Sequence, residues 1–293
     1  MEKNKKFAYL IMAHKNDYTL QKLLSLLDDE RNDIYIHIDK KSELSSFYKL
    51  KSLIKHSEII FTDRVDVEWG AYSQIKAELK LFKAASIKNY RFYHLISGAD
   101  LPIKSQQEIH EFFEQNLDKE FIRFESDKFL YNDRINFYYF FQKNLRNKTI
   151  EKFLNKVFIY LQKRLNLKRN LGISFQKGTN WVSITDELVK FILTKEEWIE
   201  KTFSHTFCSD EIFIQTIVEN TEYFKNRLYR KKYDNKMESI QRLIDWDRGN
   251  PYVFREADLP EILNSSALFA RKFDPNIDKK IIDLLTNSIK KEN

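Results

Sequence analysis

The chain has 293 residues, of which 42% are hydrophobic and 15% aromatic, enough for a substantial core and against global disorder. Five glycines and four prolines exclude collagen-like, solenoidal and linker-rich architectures, and no repeat of about 20–50 residues is present. Fifty basic against forty-three acidic residues give a net charge of +7, which favours anionic partners such as phosphorylated small molecules, anionic lipid or nucleic acid.

The single cysteine, Cys208, rules out an internal disulfide framework and fits a reducing compartment. The opening Met-Glu-Lys-Asn-Lys-Lys leads into an apolar run, Phe7 to Met12, too short for a signal peptide. No stretch approaches the roughly 18 apolar residues of a membrane span. The expectation is a cytoplasmic protein, with the inner face of the cell membrane as the surface it could contact.

Phe7–Met12 reads as a buried strand running out at His14. An amphipathic helix with Leu20, Leu23, Leu24, Leu26 and Leu27 follows, then a strand, Ile34–Ile38, that ends at Asp39. Ile59–Phe61 is a third strand, Ser73 to Ala85 a helix, Tyr93–Ser97 a fourth strand and Glu120–Phe124 a fifth. Strands alternating with helices at this spacing predict an α/β fold with a Rossmann-like, mostly parallel sheet flanked by helices. Ligands of such sheets bind beyond the carboxyl ends of the strands. His14, Asp39 and the turn Ser97-Gly98-Ala99-Asp100 all fall there.

Further on, residues 148–168 are helical, with Ile150, Phe153, Leu154, Val157, Phe158, Leu161 and Leu165 on one face and Lys/Arg on the other. Phe175 to Ile184 is strand-like and Asp186 to Leu193 helical. Ser209-Asp210-Glu211 then opens an apolar helix reaching about Asn220, Gln241 to Phe254 is extended or looped, and two short helices finish the chain.

Two readings of Ser209-Asp210-Glu211 stand side by side. A Ser or Asp there can cap a helix, and acids suit the positive end of its dipole. Alternatively, Glu211 at the mouth of an aromatic-rich loop is a general base, which leaves Asp210 the capping role. Asp39, at the end of the second strand, is placed to bind a ribose hydroxyl. There is no G-x-G-x-x-G or Walker loop, which weakens dinucleotide and NTPase readings. Asp63, Asp66 and Asp100 are isolated acids. Asp245-Trp-Asp247 has the spacing of a metal pair but sits beside Arg248. A bound diphosphate could instead be neutralised by Arg248 and Lys272.

Several segments occur together in one order: Ala13-His14, Ile36–Lys40, Val67-Glu-Trp-Gly70, Tyr93–Lys104, Lys177-Gly-Thr-Asn-Trp181, Ser209-Asp-Glu211 and Leu268–Asp274. In that order the chain resembles a bacterial member of the core-2/I-branching β-1,6-N-acetylglucosaminyltransferase and peptide O-xylosyltransferase family. The resemblance implies a GT-A-like fold and an inverting, metal-independent transferase, with a UDP-sugar as donor and no cofactor. It places the base on Glu211, the uridine-side acid on Asp39 and the diphosphate cations on Lys272 and Arg248, with Arg255 as the alternative to Arg248. His14 joins the donor contacts.

One domain over 1–293 is expected, about 1–125 binding the nucleotide-sugar and about 126–293 binding the acceptor and carrying the catalytic base. Trp181, Asp245 and Trp246 are candidate acceptor contacts, the tryptophans through apolar faces offered to sugar rings. The sugar expected first is N-acetylglucosamine, with glucose, galactose or xylose as alternatives. The acceptor would be a glycan or lipid-linked saccharide, because features of the animal relatives, disulfides and anchors, are missing here.

From Lys143 to Asn170 nine Lys/Arg face one acid, Glu151. The helix within this stretch could lie on an anionic membrane, or its stripe could pack on the sheet with the charges solvated. The competing functional classes are a metal-dependent transferase and a nucleic-acid-binding protein. The second leaves the strand-end motifs without a role, and no nucleic-acid partner is expected.

Overall fold

The computed structural model describes residues 6–143, 145 and 149–292. Strands β1 (Phe7–Ala13), β2 (Asn32–Ile38), β3 (Glu58–Phe61) and β4 (Phe92–Ser97) are mutually parallel in the order β3-β2-β1-β4, preceding β5 (Asp100–Pro102) in sequence; β6 (Ser183–Thr185) closes the far edge antiparallel to β4. Side chains alternate across a strand, so β1 feeds two cores. Phe7, Tyr9, Ile11 and Ala13 pack with the helices Tyr18–Leu27, Gln106–Glu114 and Lys279–Glu292. Ala8 and Leu10 pack with Ser73–Ala85, Asp186–Thr194 and Phe213–Glu219 on the opposite face. Both faces are covered, as a parallel sheet requires.

A second, three-stranded sheet places the carboxyl end of β4 against the C-terminal part of the chain. Its order is β5-β8-β7, with β7 at Arg242–Ile244 and β8 at Phe269–Arg271. Asp100 stands opposite Arg271, and Arg271 opposite Ile244. The extended reading of 241–254 and the terminal helices is borne out, and β8 is an addition to it.

Three expectations are corrected. Glu120–Phe124 is not a ladder strand: it makes single bridges, Glu120 to Leu228, Phe121 to Ser183 and Phe124 to Gly178. Phe121, Ile122 and Phe124 are buried by helices and loops, so their apolar run needs no strand partner. Of 175–184 only the last residues enter β6. Ser209–Glu211 forms a 3-10 turn, the α-helix begins at Phe213, and no side chain caps its start; Asp210 therefore does not have the capping role expected of it.

The basic helix spans Thr149–Arg164; Lys148, at the start of the expected span, lies outside the described residues. Its apolar stripe does not pack on the sheet. Among the described residues, no helix is long and apolar enough to cross a membrane.

Candidate active site

One end of the candidate site is built from strand termini. Past β2, the Asp39 amide donates to Ala13 O at 2.9 Å, carrying the parallel ladder one residue further and setting Asp39 beside His14. Ser42 Oγ donates to His14 O at 2.6 Å, and the Lys41 amide donates to Asp39 Oδ1 at 3.0 Å. Arg64 donates from Nη2 to Asp39 O at 2.7 Å and from Nε to Ile38 O at 3.3 Å, fixing the turn. Partial withdrawal from water, then the Lys15 charge, hold the His14 imidazole below the usual histidine pKa, against Asp17 and Asp39. It is a neutral donor and acceptor at physiological pH.

Lys272 reaches the same place from β8. Its amide donates to Tyr252 O at 3.3 Å and its carbonyl accepts from the Phe254 amide at 2.9 Å. The Phe273 amide donates to Ala99 O at 3.0 Å, tying the end of β8 to the Ser97–Asp100 turn. The Lys272 charge acts on both His14 and Asp274. His14, Asp39 and Lys272, separate in sequence, therefore share one end of the sheet. Asp100 is a turn holder: it is buried and accepts from Ser97 N at 2.8 Å and Ser97 Oγ at 2.9 Å.

The other end centres on Glu211. Its carboxylate is 3.4 Å from Lys177 Nζ and 3.9 Å from Arg134 Nη1, and its side chain is 37% exposed. Lys177 is held on its other side by Glu125 at 2.6 Å and lies over the Tyr131 ring. Burial would lower the Lys177 pKa, but Glu211 and Glu125 outweigh it and keep the ammonium charged. Gly178 follows, and its amide donates to Glu211 O at 2.9 Å. Asp210, buried, accepts from Gln74 Nε2 at 2.8 Å. Burial first, then Glu211, raise the Asp210 pKa, and the fully buried Glu78 is raised likewise, by burial and then by Asp210. Burial thus favours the protonated form of both acids, and Glu211 is the solvent-facing carboxylate of the group.

Two segments join the ends. Val65 accepts from the Lys40 amide at 3.0 Å, and further along the same segment Gly70 O accepts from the Cys208 amide at 2.8 Å. Gly70 has a φ of +75°, and a Cβ there would come within 2.5 Å of the Phe207 ring, so glycine is required on both counts. The other segment is Lys177–Trp181. At its far end the Arg271 guanidinium lies 4.4 Å over the Trp181 ring and 3.5 Å from Asp100.

Not every expected residue joins the site. Arg248 is already occupied: it pairs with Asp258 at 2.6 Å, Glu261 at 2.9 Å and Asp245, and stacks on Tyr252. Three of its five N–H donors are thereby engaged by the protein. A diphosphate would have to compete with these carboxylates for it. Arg255 is better placed, exposed and next to Phe254, whose amide bonds the Lys272 carbonyl. Asp245 accepts from the Asp247 and Arg248 amides at 2.8 and 2.9 Å, so it holds its own loop. Trp246, beside it, is 48% exposed at the rim. Trp181 is half-buried under Arg271. Among the described residues, no three His, Cys, Asp or Glu side chains gather as metal ligands do.

Lys177, Arg134 and Arg271 were not singled out from the sequence as site residues. Lys177 opens one of the ordered segments, and that position was the available signal. Arg134 is far from its partner Glu211 along the chain, at a spacing that carries no pattern.

The core-2/I-branching enzyme family model matches residues 7–266. Among characterised relatives, xylosyltransferase 2 of Mus musculus is 21% identical over 299 residues, covering 96% of this chain. A xylosyltransferase of Ciona intestinalis is 23% identical over 308 residues, again covering 96% of this chain. The chain spans about a third of the length of each, 33% and 34%. The crystal structure of mouse xyloside xylosyltransferase 1 in its apo form is a looser likeness: 13% identity, a TM-score of 0.39, and coverage of 90% of this chain and 96% of that one.

Proposed function

Because the chain belongs to the core-2/I-branching enzyme family, we propose that it is an inverting glycosyltransferase that moves a sugar from a UDP-sugar to a glycan hydroxyl. The observation that carries this reading is the pairing of a solvent-facing carboxylate, Glu211, with a strand-end group of Asp39, His14 and Lys272 through two connecting segments. Asp39 takes the uridine side of the donor. Lys272 and Arg255 neutralise the diphosphate, placed in advance of the charge that develops there.

The acceptor oxygen attacks the anomeric carbon from the face opposite UDP and forms the new C–O bond. The bond from that carbon to the diphosphate oxygen breaks, its electrons leaving with UDP, and the hydroxyl proton passes to Glu211. Lys177 and Arg134 orient the carboxylate. The cations take the role that a divalent ion would otherwise have. Residues 1–125 form the core of the donor side and about 126–293 supply the base and acceptor surface, with Lys272 returning to the donor end.

N-acetylglucosamine is the sugar we propose first. The names of the relatives favour xylose as the second reading. The acceptor is a glycan or lipid-linked intermediate of bacterial surface polysaccharide, on the cytoplasmic side. Thermal denaturation with UDP-GlcNAc, UDP-Xyl, UDP-Glc and UDP-Gal, with and without EDTA, tests the reading. The true donor at about 100 times its Kd adds roughly 2.7 kcal/mol, a Tm rise of about 4 °C. No shift with any donor, or shifts abolished by EDTA, would count against it.

A further inference from the structure

A helix packed on a globular protein normally turns its apolar stripe inward. Thr149–Arg164 turns much of its stripe the other way. Phe158 packs on the Phe140 and Phe141 rings, but the buried residues of the protein-facing side are polar: Asn155 accepts from the Phe141 amide at 3.2 Å and donates to Phe141 O at 2.8 Å. Two turns on, Gln162 accepts from the Tyr138 amide at 2.8 Å and donates to Tyr138 O at 3.1 Å. These side chains satisfy a loop that has no strand partner at those positions.

The apolar side faces out. Ile150 is 70% exposed, Phe153 64% and Leu161 46%, and Leu165, just past the helix, 68%. From Ile150 to Leu161 the stripe runs about 16 Å along the axis. Lys152, Lys156 and Lys163 are exposed and, at about 100° per residue, fall within roughly 40° of one another along one edge. Arg164 falls inside the stripe, on a long stem that can lift its charge out of apolar surroundings.

We propose that this helix lies in the surface of an anionic bilayer, its apolar side in the acyl boundary and its lysine edge among the headgroups. Charge decides the occupant. Between residues 149 and 170, among the described residues, five exposed Lys/Arg (Lys152, Lys156, Lys163, Arg164 and Lys168) accompany the single acid Glu151, Arg169 being buried and Lys163 paired with Asp133 at 2.6 Å. A second copy would bring Arg164 and the lysine edge against their own equivalents, whereas anionic headgroups provide the opposite charge. The placement also suits the site. A groove of about 400 Å³, lined by Lys152, Asn155, Lys156, Arg134 and Phe207, runs from the helix to the arginine that flanks Glu211.

Flotation of the full chain with vesicles at physiological salt tests this, with no donor or acceptor present, so the result is independent of the sugar-transfer reading. Vesicles of three parts phosphatidylcholine to one of phosphatidylglycerol should carry the protein up; phosphatidylcholine alone should not. Each lysine near such a surface adds about fivefold to the partition, so Lys152→Ala/Lys156→Ala should lower it about 25-fold. Ile150→Ser/Phe153→Ser should abolish flotation with little change in Tm, because both side chains are mostly in water, and adding Leu161→Ser gives the triple variant. Failure of the wild type to float, equal binding to the neutral vesicles, or unaltered flotation of either folded variant overturns the proposal. So does a concentration-dependent dimer in sedimentation that the triple variant disperses, since a second copy would then cover the face.

Discussion

Gly178→Ala is the most exacting test of how the base is held. A Cβ at Gly178 would stand 1.7 Å from Arg123 O and 2.7 Å from Arg123 C, where real Cβ contacts essentially never fall under 3.0 Å. The two backbones must therefore separate until the 1.7 Å approach opens to 3.0 Å or more. Neither can yield alone: Arg123 O also accepts from Gln215 Nε2, and Phe124 and Gly178 form a bridge. Overpacking against backbone of this kind destabilises by about 1–3 kcal/mol, a Tm loss of roughly 2–5 °C for a chain of this size.

The separation also moves Glu211, because the Gly178 amide bonds Glu211 O and Lys177 is the preceding residue. A misplacement of about 1 Å at a reacting group lowers the rate by as much as about 100-fold. UDP affinity should hold, since His14, Asp39 and Lys272 are outside the disturbed segment. Denaturation, calorimetric UDP titration and UDP release read the three effects separately. Gly98→Ala is the control, its added Cβ meeting only ordinary contacts at 3.6 Å or more. A Gly178→Ala enzyme with wild-type Tm and turnover would refute the reasoning.

Glu211→Gln keeps the shape and the neighbours Lys177 and Arg134 but cannot accept a proton; transfer should fall roughly 10²- to 10⁴-fold with UDP binding retained, and near-normal turnover would remove the base assignment. Arg255→Ala and Lys272→Ala should each weaken UDP by about 10- to 100-fold, as expected for a charge-assisted contact. Arg248→Ala should leave UDP affinity unchanged and lower the Tm, by stranding Asp245, Asp258 and Glu261; a loss of UDP affinity there would return Arg248 to the donor site. Stability should also depend on pH through Glu120. Burial pushes its carboxyl from 4.5 up to about 7, against the Thr185 amide and hydroxyl that donate to it. Between about pH 4.5 and 7 the unfolded chain loses a proton at this position that the folded chain keeps, so the contribution of Glu120 to stability falls as pH rises, by about 3 kcal/mol, while His37 and His110, held by burial at about 4, act in the opposite sense. The stability of the wild type minus that of Glu120→Gln should therefore fall as pH rises across that range; a constant difference would refute it.

Much of the donor end was legible in the residues alone. Buried apolar runs punctuated by polar strand ends announced the parallel sheet, and ligand groups collect at such ends, so His14 and Asp39 could be singled out. The β8 end was harder, because Phe269–Arg271 is only three residues long, too short for period-2 alternation to register. The carboxylate partners of Arg248 were hidden for a related reason. An arginine near the end of the chain looks available to a phosphate until the carboxylates of Asp258 and Glu261, further along the chain, are found folded back onto it.

Local patterning in the residues carried the α/β alternation, the amphipathic helix with Leu20, Leu23 and Leu24, and the existence of an apolar stripe and a basic edge on one helix. Periodicity is a property of the local chain and needs no partner to be seen. Only the tertiary structure decided which side of that helix faces the protein. Asn155 and Gln162 are drawn inward by the loop amides and carbonyls of Tyr138 and Phe141, since buried backbone groups must find partners. Meeting that need turns the stripe outward. The same holds for Glu211, whose cations Lys177 and Arg134 come from distant segments of the chain: long-range Coulomb partners are fixed by the packing that brings them together, and no local spacing encodes them.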